Sequence, residues 1–339
     1  MAPRILITGA TGFVGSSLAR LLAERGYELR CLLRPTSKAE NLRGLRYERV
    51  EATLADGGRL EEALTGVDRV VHLAALVSFR KQDAVAMHRV NVAGTARLAG
   101  LARQKGVGRF LHVSSVVAVG FSRRPETIDE RAAYNFGPLR VPYCDTKRAA
   151  ERAVLAEVAR GLDAVIVNPA SMFGPGDRRK ADGSLLQAMA EGRVPVCPPG
   201  GCNFVDVRDV AQGCVAALER GRTGERYILG GENLSGRELL AKIARVLGRA
   251  PPRITLPRVS ARAIAMLASA WELFRPLEPP VTAQILRMSP LFLWYSSRKA
   301  REELGYAAYP VEIAIKATID WMLDLDLLDP RHVRSGGRL

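Results

Sequence analysis

The run Thr8-Gly-Ala-Thr-Gly-Phe-Val-Gly15 sets glycines at 9, 12 and 15, directly after the apolar stretch Ile5-Leu6-Ile7. A helical pattern follows at once, from Ser16 to Arg25, and stops at Gly26. A strand that ends on three spaced glycines and reopens as a helix needs a tight turn and close helix–strand contact. It also needs backbone bare enough for a ligand to lie against it. The first turn of such a helix presents free N–H groups and the positive end of the helix dipole, which suit a pyrophosphate. Strand, turn and helix together predict a dinucleotide site built from Thr8, Gly9, Thr11, Gly12, Phe13, Val14 and Gly15.

The pattern continues in the same style. Short apolar runs at Glu28–Leu33, Arg46–Val50, Arg69–Leu73, Arg109–Val113 and Ala164–Val167 alternate with helical stretches at Val90–Lys105 and Asp145–Ala159. Such alternation predicts an α/β chain, a doubly wound parallel sheet of the Rossmann type with helices on both faces. After Asn168-Pro169 the texture changes, because Gly174-Pro-Gly176, Pro198-Pro-Gly-Gly201 and Pro251-Pro252 break the chain into shorter pieces. The expected organisation is a dinucleotide-binding domain over 1–170, rejoined by 204–230, and a smaller C-terminal substrate lobe from 171–203 and 231–330. Residues 331–339 read as a flexible tail.

Composition narrows the function classes. The 339 residues carry a net charge of +15, which suits a phosphorylated cofactor, an acidic substrate or an anionic membrane face, or is simply solvated basic surface. The basic residues are dispersed and no nucleic-acid-binding signature occurs, so nucleic acid is not expected. Five cysteines without a CxxC pair and four histidines without ligand spacing point away from a disulfide framework and from any metal. Ile5-Leu6-Ile7 is too short for a signal-peptide core, and the expected compartment is the cytoplasm. No apolar run reaches the length of a membrane span. The nearest, Val259 to Phe274, reads first as a helix buried in the second lobe; peripheral docking on a membrane or a partner is the alternative.

The end of the second strand reports which dinucleotide binds. An acidic residue there would hydrogen-bond a free ribose hydroxyl. This chain has Arg34, with Ser37 and Lys38 close behind. A guanidinium, a hydroxyl and an ammonium suit a 2′-phosphate, which favours NADP(H), with NAD(H) as the alternative.

Tyr143 and Lys147 stand four residues apart, on one face of a helix. A free phenol has a pKa near ~10, too high for efficient proton exchange at neutrality, and a nearby ammonium favours the phenolate. Upstream, Leu111-His-Val-Ser114-Ser115 ends a strand at the carboxyl edge of the sheet, where a hydroxyl can hold both a substrate oxygen and the tyrosine.

At these residues the sequence resembles the extended short-chain dehydrogenase/reductase family, also called the NAD-dependent epimerase/dehydratase family. TGATGFVG, HLAA at 72–75, NVAGT at 91–95, VSS at 113–115, YCDTK, NPASMFGPGD at 168–177 and FVDVRDVA at 204–211 occur in family order. Ser296 to Gly305 is similar to its C-terminal signature. The resemblance implies a catalytic set of Ser115, Tyr143, Lys147 and Asn91, with Asn91 supporting the lysine through water. It implies further cofactor contacts from Leu73, Ala74, Ala75, Val113, Tyr143, Lys147, Pro169, Ala170 and Met172. Where the family commonly carries an acidic residue near the adenine, this chain has Thr53-Leu54, so Thr53 would serve through its hydroxyl.

Leu32–Ser37, Val167–Pro169 and Glu225–Leu234 look most like the bacterial dihydroflavonol reductase-like and hopanoid-associated sugar epimerase-like proteins. The reaction this implies is reduction of a ketone or aldehyde, or oxidation of the alcohol, with Tyr143 moving the proton. Alternatives are a nucleotide-sugar epimerase or dehydratase holding NAD, and a 3-hydroxysteroid or sterol-type dehydrogenase. A nonenzymatic dinucleotide sensor would be expected to lose Tyr143 and Lys147, and both are kept. Substrate contacts are expected from Ser78, Phe79, Ser115, Phe173 and Lys180, and from the stretch Phe121–Val141. Arg178 to Lys180 is either an anion clamp or a solvated loop, and Leu291 to Tyr295 either core or pocket lining. The partner is a small-molecule carbonyl or alcohol, and the protein a monomer or homodimer.

Overall fold

A computed structural model describes residues 2–178, 184–272, 274–278 and 282–333. Its main sheet collects β1 (Arg4–Thr8), β2 (Glu28–Leu33), β3 (Glu48–Glu51), β4 (Arg69–His72), β5 (Arg109–Val113) and β6 (Ala164–Pro169). Four further strands follow in the chain: β7 (Ser171–Phe173), β8 (Val196–Cys197), β9 (Gly201–Asp206) and β10 (Arg226–Leu229). The last of these returns to the main sheet, whose seven strands run β3-β2-β1-β4-β5-β6-β10, all neighbours parallel. This is the doubly wound Rossmann architecture expected from the alternating pattern. Strands buried on both faces read as continuous apolar runs, as Ile5–Ile7 and Ala164–Val167 do.

Helices cover both faces. They are α1 (Phe13–Glu24), α2 (Gly57–Leu64), α3 (Ala84–Met87), α4 (Thr95–Gln104) and α5 (Pro142–Val158). In the second half come α6 (Leu185–Ala190), α7 (Val207–Arg220), α8 (Gly236–Leu247), α9 (Arg258–Trp271), α10 (Ala283–Met288), α11 (Arg298–Leu304) and α12 (Val311–Asp324). One apolar cluster joins Ile5, Leu18, Leu22 and Val71 to Val215 beneath α1 and α7; a second joins Leu6, Val70, Phe110 and Ile166 to Leu98 and Val154 on the other face. A third, separate cluster packs α6, α8 and α12 through Met189, Leu240, Ile243, Ile315 and Met322.

The remaining strands complete a small second sheet. β11 (Glu232–Ser235) and β13 (Phe292–Leu293) flank β9, which also pairs with β7, while β12 (Ile254–Thr255) pairs with β8. The Leu291 to Tyr295 segment is therefore core: Leu291, Phe292, Leu293 and Tyr295 are all buried, and the Tyr295 hydroxyl donates to the Gly120 carbonyl.

Boundaries differ from the sequence reading in instructive places. α1 starts at Phe13 rather than Ser16, because the helix begins inside the glycine turn itself. α5 starts at Pro142, a residue suited to the first helical position, so Tyr143 lies in the first turn. β3 runs Glu48–Glu51, shifted from the expected Arg46–Val50. The helix expected from Val90 is already wound at Ala84 and carries a π-helical stretch, His88–Gly94, before it continues as α4. At the other end, Pro330–His332 form a turn capped by Asp329, and Arg249 donates to the His332 carbonyl, so the chain is held further than 331. Residues 334–339 lie outside the described residues.

Candidate active site

Four strand ends, Thr8, His72, Val113 and Pro169, share the carboxyl edge of the sheet. The glycine turn leaves this edge under strict steric limits. Gly9 has a φ of +77°, and a Cβ there would lie 2.8 Å from the Ala74 nitrogen. A Cβ on Gly15 would overlap the Gly9 carbonyl oxygen. α1 is entered through Gly12 with no side-chain cap, so its leading N–H groups stay available. Bare backbone beside an uncapped helix start fits a pyrophosphate, and these residues would hold the dinucleotide there.

The β2 exit is basic and open. Arg34 and Lys38 are exposed, and neither has a carboxylate partner among the described residues. The Arg34 N–H donates to the Ser37 hydroxyl at 3.1 Å, and the Ser37 N–H returns to the Arg34 carbonyl at 2.9 Å, which closes residues 34–37 into one turn beside Lys38. Thr53 is exposed past β3, and its hydroxyl oxygen accepts the Ala55 N–H. Leu54 is buried against Gly94, which leaves only its backbone facing outward.

A row of buried polar groups ties β1 to the π-helical stretch. The Ala74 N–H donates to Thr8 Oγ1 at 3.2 Å, and Thr8 Oγ1 lies 2.6 Å from His72 Nδ1. His72 Nε2 lies 2.9 Å from Thr95 Oγ1, and the Thr95 hydroxyl donates to the Asn91 carbonyl at 2.6 Å. Thr95 has one proton and spends it on Asn91, so it must accept from His72. The imidazole therefore carries its proton on Nε2 and accepts the Thr8 hydroxyl proton on Nδ1. Burial, reinforced by the nearby Lys147 charge, lowers the His72 pKa to about 3, which keeps the ring neutral as this arrangement requires. His112 stacks on His72 with ring centroids 5.5 Å apart.

Asn91 is buried within the π-helical stretch. Its amide accepts the Leu76 N–H at 2.7 Å and donates to the Leu76 carbonyl at 2.9 Å and the Thr146 hydroxyl at 3.2 Å. It thus pins the loop after β4 to α5, one residue away from Lys147. A π-helical stretch inside an α-helix commonly marks a functional position, because its extra residue redirects side chains.

Tyr143, Lys147 and Glu151 form a column on α5 at successive four-residue steps. Ser115, at the mouth of β5, acts on the Tyr143 phenol to favour its ionised form, yet burial outweighs this and pushes the phenol up to about 12. Lys147 is buried, donates to the Val113 carbonyl at 3.0 Å, and is lowered by burial to about 8, with Glu151 acting in the opposite direction.

Glu151 was not anticipated. It is fully buried and meets Asn168 at 2.6 Å, Arg148 at 3.2 Å and Arg226 at 3.2 Å. The signal was present as the next four-residue step after Lys147. Asn168 also donates to the Ser115 carbonyl at 2.9 Å, so Glu151 steadies Ser115 through one intermediary.

The substrate expectations divide. Phe79 packs edge-on against the Tyr143 ring, with centroids 5.7 Å apart, and belongs to the site. Ser78 does not offer its hydroxyl, because it donates to Asp83 at 2.6 Å and accepts the Arg80 N–H. Phe173 stacks on Phe204 at 5.6 Å, at the edge of the second-lobe core. Arg178 pairs with Glu40 at 2.6 Å, which draws it away from a role as a free anion clamp. Lys180 lies outside the described residues. Pro169 and Ala170 close β6, with the Ala170 N–H bonded to the Leu229 carbonyl, and Met172 follows on β7. Leu73 and Ala75 flank Ala74 on the loop that Thr8 and Asn91 secure. The stretch after Ser115 crosses to the second lobe through bridges Ser122–Phe292 and Ile128–Tyr295.

The fold and the sequence as a whole resemble those of known proteins. The profile of the NAD dependent epimerase/dehydratase family matches residues 5–230. This chain belongs to that family. It is 34% identical over 331 residues to a putative dihydroflavonol 4-reductase of Synechocystis sp., covering 95% of each chain. It is also 34% identical over 326 residues to sterol demethylase protein B of Methylococcus capsulatus, covering 95% of this chain and 99% of that one. Among solved structures, that of gox2253 superposes with a TM-score of 0.86 at 37% identity, covering 96% of this chain and 99% of the other. The family member described here is an NAD(P)-dependent oxidoreductase.

Proposed function

We propose that this enzyme reduces a ketone or aldehyde on a small molecule, or oxidises the corresponding alcohol, with NADP(H) as its dinucleotide. The observation that carries the reading is the gathering of Ser115, Tyr143 and a buried Lys147 at the sheet edge that also bears the glycine cradle. The dinucleotide supplies or accepts the hydride when bound. Tyr143 delivers a proton to the substrate oxygen in reduction and removes it in oxidation. Ser115 holds that oxygen against the phenol, and Phe79 excludes water from one side of the ring. Asn91 and Thr146 fix the helix that carries both Tyr143 and Lys147.

The protonation states favour reduction at neutrality. A phenol at about 12 is protonated and ready to donate. In the oxidation direction the phenolate must form first, and below its pKa its fraction rises about tenfold per pH unit. Between about pH 6 and 8, kcat/KM for oxidation should climb steeply while that for reduction stays level. Parallel profiles in the two directions would remove Tyr143 from the proton transfer.

NADP(H) is supported by the exposed, unpaired Arg34 and Lys38 at the end of β2. Replacing Arg34 with Asp should weaken NADPH binding by about tenfold to a hundredfold, the worth of a charge-assisted hydrogen bond, and leave NADH binding little changed. Equal loss for both would remove the phosphate role. The reaction class is tested by a carbonyl and alcohol screen that follows reduced-nicotinamide absorbance. Net NADPH consumption supports a reductase, whereas conversion of a nucleotide sugar without net cofactor change would replace this reading with an epimerase.

A further inference from the structure

Helix α9 presents its bulky apolar side chains outward. Its inner face is Ala261, Ala265 and Ala268, all buried against the second lobe, so small residues seat the helix. On the opposite side Val259, Met266 and Leu267 are 78%, 73% and 71% exposed, with Trp271 at 57% and Phe274 just beyond at 86%. This reverses the first sequence reading, in which the apolar residues of 259–274 were to be buried. Contiguous exposed apolar surface of this kind marks an interaction site.

Charge identifies the occupant. Arg253 precedes the helix, Arg262 lies on it and Arg275 follows it; all are exposed, and none has a carboxylate partner among the described residues. The acids at its end are committed elsewhere: Glu272 accepts the Ala283 N–H and Glu278 pairs with Arg80. An apolar face with free arginines and no free acid matches an anionic lipid surface. A second copy would bring the same arginines and the same net charge of +15 against this rim. No helix among the described residues is long and apolar enough to cross a membrane, so contact would be peripheral.

We propose that the outer face of α9 docks the enzyme on an anionic lipid bilayer, with Met266, Leu267, Trp271 and Phe274 entering the interface and the arginines meeting lipid phosphates. The segment from Arg258 to Glu278 is tied at both ends to stretches that adjoin the site. Arg258 donates to the Arg123 carbonyl in the stretch that follows Ser115, and Arg80, paired with Glu278, adjoins Phe79 on the Tyr143 ring. Docking would therefore turn the cleft toward the bilayer. The proposal concerns where the enzyme sits and is independent of which carbonyl it reduces.

The test is co-sedimentation of the full chain with vesicles of phosphatidylcholine mixed equally with phosphatidylglycerol, beside vesicles of phosphatidylcholine alone. The chain should sediment with the anionic vesicles and be released by salt. M266E/L267E should weaken partition by more than about tenfold, since it places charge where apolar surface must enter lipid. R262S should weaken it by about fivefold. Both variants should keep their circular dichroism and their NADPH binding, which separates lost docking from lost fold. Sedimentation that M266E/L267E leaves unchanged, or no sedimentation of the parent chain, overturns the proposal. So does a parent chain that is dimeric by light scattering and becomes monomeric as M266E/L267E, because the face would then belong to a second copy.

Discussion

Replacing Tyr143 with Phe should lower kcat by about a hundredfold to ten-thousandfold while NADPH binding and thermal stability stay close to the parent. The aromatic ring remains, and with it the edge-on contact to Phe79. Only the hydroxyl is lost, together with its interaction with Ser115. No other ionisable hydroxyl in the cluster can take over, because Ser115 is too weak an acid to replace a phenol. Single-turnover absorbance measurements at saturating NADPH would separate the chemical step from binding. Adding Ser115→Ala to the Phe variant should cost little more, since the two hydroxyls act as one unit. A Tyr143→Phe enzyme with full turnover would mean that the proton comes from elsewhere, and the mechanism would have to be rebuilt.

The second large effect is expected at Gly15. An alanine there adds a methyl group that overlaps the Gly9 carbonyl oxygen, which belongs to backbone that cannot swing aside as a side chain would. Relief requires α1 to move away from β1, and the leading N–H groups of α1 move with it. Forced overpacking of this size costs about 1–3 kcal/mol, and if borne by the bound state it weakens dinucleotide affinity by about fivefold to a hundredfold. Titration of NADPH by fluorescence, with circular dichroism as the control for folding, checks the outcome. Unchanged affinity in a folded Gly15→Ala protein would show that the phosphate groups do not rest on this turn. Gly26 makes a useful contrast: its φ is positive, but no atom lies within 4 Å of the position a Cβ would take.

Much of this could be read from the chain because the informative residues are local. The glycine spacing, the strand before it and the Tyr143–Lys147 step are all short-range patterns, and short-range patterns survive without knowledge of the fold. The seven-stranded sheet followed from alternation of apolar runs and helices. What escaped was set by distant partners. The Ser78 hydroxyl was offered to substrate because nothing in the sequence reveals that Asp83 captures it. Arg178 was a candidate clamp until Glu40, from the other side of the glycine turn, neutralised it. The π-helical stretch could not be foreseen from periodicity, since one extra residue hardly disturbs an apolar pattern. α9 misled for a different reason. Its apolar stripe was correctly seen, but alanines won the inner face and left the larger side chains outside.

The buried row from Ala74 through Thr8, His72 and Thr95 to Asn91 has a further consequence. Every hydroxyl in it has already donated, and the ring has one assigned tautomer, so all its hydrogen bonds run in a fixed direction. To conduct a proton, two hydroxyls and an imidazole would have to turn over together in a buried row, through a ring that resists charging. The row is therefore a strut and not a wire. It braces the glycine turn against the helix segment that adjoins α5 near Lys147, and it closes that side of the site to proton traffic.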